Sequence, residues 1–133
     1  MISGKVTTNR EAVIELEVVG FIQRKEKIEA VIDTGFNGYL TLPNSLINRL
    51  KLQLAGNRRV TLGDGNVVVL DVYLAKVLWH EQEREVLVLQ ADGGSLVGMS
   101  LLYGNRVMLE VVDNGDVTID SYETIRKQRN SET

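Results

Sequence analysis

The sequence predicts an all-β fold, a closed or sandwiched sheet carrying one or two short helices. Three observations lead there. Apolar and charged residues alternate with a period of two over several short runs. Turn compositions rich in Gly, Asn and Asp separate those runs at regular intervals. Helical spacing is clear in the first half only within residues 43–50.

Over residues 11–19, Ile14, Leu16 and Val18 point one way while Glu15 and Glu17 point the other, the pattern of a half-buried strand. Gly20 and Gln23-Arg24-Lys25-Glu26 supply a turn. Alternation then resumes with Ile28, Ala30 and Ile32 opposite Glu29 and Asp33, so these two strands pair as a hairpin. Residues 36–42 are expected as a loop and a short strand, because Gly35 and Gly38 tolerate backbone angles that other residues resist. Pro43 suits the first position of a helix whose Leu46, Ile47 and Leu50 share one face. Residues 59–62 and 67–74 flank Gly63-Asp64-Gly65-Asn66, a second hairpin. Residues 75–78 and 85–90 flank the charged segment 80–84, a third. Residues 106–112 and 117–120 make a fourth around Asp113-Asn114-Gly115-Asp116, with Asn-Gly where two-residue turns favour it. Residues 1–120 form one domain on this reading, and residues 121–133 a polar tail, frayed or a short surface helix.

Composition narrows the function. The 133 residues suffice for one core, and 15 Lys and Arg against 18 Asp and Glu leave a net charge of -3. No global positive field is available to hold nucleic acid or an anionic membrane. The absence of Cys removes disulfides, thiolate nucleophiles and sulfur-ligated metals. The one His, His80, has no second imidazole to share a metal with, and beside Trp79 it reads as a surface residue. The acidic turn at 113–116 lacks the ligand series of a calcium loop. Neither a metal nor an organic cofactor is expected. No apolar run approaches the roughly 20 residues of a membrane helix. Met1-Ile2-Ser3-Gly4-Lys5 lacks the apolar stretch of a signal peptide, so the default expectation is cytoplasmic.

One tripeptide stands apart, Asp33-Thr34-Gly35, at the end of Ala30-Val31-Ile32. A carboxylate at the end of a buried strand is costly unless it is hydrogen-bonded or used. Alone, the tripeptide is equally an ordinary strand-ending turn. Roughly sixty residues downstream lies Leu96-Val97-Gly98, followed by Met99-Ser100-Leu101-Leu102.

Ala30-Val31-Ile32-Asp33-Thr34-Gly35 resembles the active-site segment of the retropepsin-like aspartic proteases. Leu96-Val97-Gly98 resembles that family's hydrophobic-hydrophobic-glycine element, which crosses behind the catalytic loop and leads into a short helix. Between them, residues 60–68 occupy the place of the family's flap, a glycine-containing hairpin over the substrate groove. The resemblance spans approximately residues 11–120. It implies a retropepsin-like closed barrel and an aspartic endopeptidase acting on extended polypeptide. One departure stands out: Phe36 replaces the small residue that usually follows the glycine.

The resemblance also implies roles. Asp33 activates a water in one chain and polarises the scissile carbonyl in the other. Two carboxyls in contact share a proton and titrate as a unit, the established behaviour of aspartic proteases, which implies an acid-shifted activity optimum. The sequence holds one Asp-Thr-Gly; Asp64-Gly65, Asp92-Gly93 and Asp113-Asn114-Gly115 lack the Thr-Gly continuation. A homodimer must therefore bring two copies of Asp33 together. Thr34 would bridge the two-fold axis, and Gly35 would let backbone approach the carboxylates. Phe36, Leu62, Gly63, Asp64 and Gly65 would contact substrate, with Tyr39 a further groove candidate. Leu96, Val97 and Gly98 would support the loop from behind. The alternative is a dimeric peptide-binding or assembly module of the same fold that no longer hydrolyses, a reading that Phe36 keeps open.

Overall fold

The computed structural model describes residues 1–131. Ten strands and three helices follow one another as β1 (Ile2–Val6), β2 (Ala12–Val19), β3 (Lys25–Ile32), β4 (Leu40–Leu42), α1 (Asn44–Arg49), β5 (Gln53–Thr61), β6 (Val67–Trp79), β7 (Gln82–Gln90), β8 (Leu96–Val97), α2 (Met99–Leu102), β9 (Asn105–Leu109), β10 (Asp116–Ser121) and α3 (Tyr122–Ser131). The all-β class is as expected. Three helices form among the described residues, because the polar tail takes the short-helix alternative of the two expected for it, as α3. Its Ile125 is buried, and Ser121 Oγ accepts the Thr124 amide at 3.1 Å in the manner of a helix cap. Glu132 and Thr133, the end of that expected tail, lie outside the described residues.

The strands hydrogen-bond in the order β5-β6-β7-β4-β8-β3-β2-β1-β10-β9, and a further β6–β2 pairing joins Val18 to Val77 and Val19 to Lys76. That short pairing completes a circuit through β2, β3, β8, β4, β7 and β6. One edge of β2 is shared: β1 occupies its first residues, Ala12, Val13 and Ile14, and β6 its last two. Side chains directed inward from this circuit, together with Leu101 of α2, make the core, with Ile14, Val18, Leu40, Leu42, Val77, Val88, Val97 and Leu101 at most 1% exposed. Each buried aliphatic of this kind contributes about 1.5–3 kcal/mol relative to exposure. The circuit is thus held mainly by its filling. No helix among the described residues is long and apolar enough to cross a membrane.

Several boundaries differ from the sequence-based expectation, each for a local reason. β1 was not expected; it pairs with β10, more than a hundred residues away, and carries Gly4 because Val13 O lies 2.0 Å from where a Cβ would sit. Pro43 is the helix cap rather than its first residue. The two strands expected over 67–74 and 75–78 are one, since β6 continues unbroken from the second hairpin into the third. The third turn is His80-Glu81 alone, both at positive φ (51° and 66°), a two-residue hairpin made without Gly or Asn. β9 stops at Leu109, so the fourth connection is a six-residue loop and not a tight Asn-Gly turn. Within it Gly115 is fixed by close approach, 1.8 Å separating its would-be Cβ from Glu110 O.

Candidate active site

The chain places Asp33 by ending one parallel ladder. β3 runs beside β8 with Val31 opposite Leu96 and Ile32 opposite Val97, and the ladder finishes with the Asp33 amide donating to Val97 O at 2.9 Å. β8 also pairs antiparallel with β4. It is therefore threaded between the two strands that the Asp33-to-Tyr39 loop connects. Asp33 itself is half-buried, and its Oδ1 accepts the Gly35 amide at 2.9 Å, which fixes the carboxylate against its own turn. Phe36 N–H closes that turn onto Asp33 O at 3.2 Å.

Behind the turn the chain crosses at Gly98. A Cβ there would lie 2.2 Å from Gly38 O and 2.7 Å from Phe36 O, both backbone atoms, so only glycine fits without displacing the loop. The freed space is used by backbone hydrogen bonds: Gly98 N–H to Tyr39 O, Met99 N–H to Phe36 O and Ser100 N–H to Gly38 O, at 2.7–3.1 Å. Ser100 Oγ adds a bond to Asn37 O. Asp33, Thr34, Gly35 and Phe36 are thereby brought together with Leu96, Val97 and Gly98 in one crossing. Val97 is fully buried and Leu96 half-buried.

Phe36, expected to line a groove, lies with its ring against the Cα positions of Gly38 and Gly98 and is half-buried there. Thr34 is exposed beside a shallow hollow of about 250 Å³ shared with Ile32, Leu109 and Val111. The expected flap residues Leu62, Gly63, Asp64 and Gly65 form the exposed tip of the β5–β6 hairpin. Their hydrogen bonds close the turn on itself: Leu62 N–H to Asn66 O, Gly65 N–H to Leu62 O, and the backbone and side-chain N–H groups of Asn66 to the Asp64 carboxylate. Gly65 takes φ +87°, which its lack of a side chain permits. It is the base of this hairpin that shares a wall with the Asp33-to-Tyr39 loop, where Gly56, Asn57 and Arg58 face Asn37, Gly38 and Tyr39 across a hollow of about 390 Å³.

Two supporting residues were not singled out from the sequence. Thr41 is the one buried polar side chain among the described residues; its Oγ1 accepts the Leu96 amide at 2.9 Å and so anchors the start of β8. A lone hydroxyl between Leu40 and Leu42 was its signal. Arg84, on β7, sits with its guanidinium 5.5 Å from the Tyr39 ring centre and donates to Leu101 O at 3.4 Å. Only the sheet order brings it near the loop. His80 is half-buried, with Nε2 2.7 Å from Asn105 Oδ1 and its ring edge-on to Trp79. Among the described residues no three His, Cys, Asp or Glu side chains stand together as a metal site.

No family model matches the chain, and no curated protein matches it.

Proposed function

We propose that the protein is an aspartic endopeptidase of the retropepsin-like type, active as a homodimer whose two Asp33 carboxyls form the catalytic pair. The observation that carries this reading is the crossing itself: a carboxylate at a strand end, held by the amide two residues on, and backed by a glycine that admits no Cβ. The circuit of six strands is read as the barrel of that fold. A strand-ending turn of ordinary purpose needs neither the threaded β8 nor the close approach at Gly98. Exposed Thr34 beside Leu109 and Val111 suits a residue that meets its symmetry mate.

In the paired state one Asp33 is ionised and takes a proton from water while the other is protonated and donates to the carbonyl oxygen of the scissile bond. Water attacks carbon, the C–N bond breaks, and the amine leaves with a proton returned by the pair. Gly35 N–H, already bonded to Asp33 Oδ1, holds the carboxylate in position and adds no charge of its own.

The rival, a silent peptide-binding module, rested on Phe36. The packing of that ring against Gly38 and Gly98 gives it a structural use inside the loop and weakens the rival. The test is Asp33→Asn, scored by cleavage of a peptide library and by sedimentation. Loss of about 10³-fold or more in kcat/KM with the dimer retained supports the proposal. Unchanged turnover, or a dimer with the two carboxyls apart, overturns it.

A further inference from the structure

The hollow between the hairpin base and the catalytic loop does not stop there. A second hollow of about 410 Å³ shares Asn37, Tyr39 and Ser100 with it and continues past Arg84 to Met99 and Tyr103. The two make one trough. Its floor is apolar where the nearly buried Val72 and Leu89 line the same hollow as Arg58, and Tyr103 at its far end is 86% exposed.

The charge of this trough runs against that of the chain. Acidic residues outnumber basic ones, 18 to 15, yet neither hollow is lined by an Asp or a Glu, while Arg58 lines one and Arg84 the other. Among the described residues neither arginine is in an ion pair. Glu83 and Glu85, the chain neighbours of Arg84, alternate to the opposite face of β7. Arg84 is also held in place by the Tyr39 ring and Leu101 O, so its remaining donors are fixed before anything binds. A guanidinium of this kind is suited to a carboxylate, which it engages by two parallel hydrogen bonds.

We infer that the trough binds a polypeptide segment rich in acidic side chains, with carboxylates meeting Arg58 and Arg84 and apolar residues meeting the floor between the hairpin base and the loop. This inference rests on the site being one that takes polypeptide, and it adds the class of polypeptide.

The test uses the full chain carrying Asp33→Asn, so that bound peptide persists, and end-labelled peptides of one length and one apolar pattern carrying Glu, Gln or Lys at the same positions. Fluorescence anisotropy should show the Glu peptide binding at least about tenfold tighter than the Gln peptide, with the difference shrinking in high salt. Adding Arg58→Glu and Arg84→Glu should remove that preference and turn it toward the Lys peptide. Arg58→Glu alone, at an exposed strand position, should give part of the loss with the fold intact by circular dichroism. Equal affinity for Glu and Gln peptides, an undiminished preference in the charge-reversed variants, or tighter binding of a single-stranded oligonucleotide than of the Glu peptide would each overturn the inference. Cleavage by the unaltered chain is scored separately. Acid preference without any cleavage removes the hydrolase and keeps the trough; cleavage of Glu and Gln peptides with equal kcat/KM and equal affinity does the reverse.

Discussion

Gly98 and Gly38 meet backbone to backbone: the Cβ that Gly98 lacks would sit 2.2 Å from the Gly38 carbonyl oxygen. The Asp33-to-Tyr39 loop and the strand behind it are therefore spaced by the absence of one methyl group. Gly98→Ala forces that carbonyl, or β8, to move. The expected cost is about 3 kcal/mol or more, at the upper end for overpacking against backbone. Urea unfolding measures it, and a variant as stable as the parent would show that the crossing is looser than described.

Thr41 makes a second, milder prediction. Thr41→Val keeps the shape and removes the acceptor of the Leu96 amide, which then has no partner at the start of β8. The expected destabilisation is about 1–3 kcal/mol. Thr41→Ser retains the hydroxyl and should recover part of it. A loss in Thr41→Ser with none in Thr41→Val would mean that the methyl, and not the hydrogen bond, is what matters.

Val111 is 73% exposed on the loop after β9, beside Thr34 in the same hollow. In an isologous dimer each substitution acts twice. Val111→Asp should leave the folded chain intact and weaken self-association about tenfold or more by sedimentation equilibrium. If the association is unchanged, the proposed dimer does not form through this surface.

Lys5 ties β1 to β10 by a 2.7 Å ion pair with Asp116. Its hydrogen bond and then its positive charge hold the Asp116 carboxyl below the usual carboxylate range, against a slight opposing effect of burial. The folded chain thus gives up this proton more readily than the unfolded one. The pair stabilises above roughly pH 4, the unfolded carboxylate range, and that stabilisation fades as pH falls through the lowered folded value. Both groups are exposed, so the effect is small and screened by salt. Asp116→Asn should lose less thermal stability between pH 5 and pH 2 than the parent does at low ionic strength; identical slopes would contradict the pairing.

What the sequence disclosed follows from where burial is one-sided. β2 and β3 were legible because charged and apolar side chains separate cleanly between their faces, and α1 because Leu46 and Ile47 are buried beside exposed neighbours. Asp33 stood out as a carboxylate ending an apolar run, and Gly98 only through the resemblance of Leu96-Val97-Gly98 to the hydrophobic-hydrophobic-glycine element of the retropepsin-like proteases. β5 gave little signal before Arg59, since nearly all of it is exposed and no periodic burial exists to read. β1 owes its strand state to a partner far along the chain, and the third hairpin was expected but not its two-residue turn, since His80-Glu81 lacks the residues that normally advertise one. The arginine-lined trough was invisible for the same reason: Arg58 and Arg84 lie on different strands and meet around Tyr39 only once β4 and β7 are placed side by side.

β6 is built as a cantilever. From Val72 to Trp79 it is paired with β7 along one edge, while on the other β5 reaches as far as Leu74 and β2 holds Lys76 and Val77; from Val67 to Asp71 it is flanked by β5 alone. The bulge between Leu54 and Gly56, with Gly56 at φ +147°, falls opposite Tyr73 and Val72, where the beam leaves its clamp. Bending there swings the hairpin tip as a unit, and the packed interior behind Val72 need not rearrange to allow it.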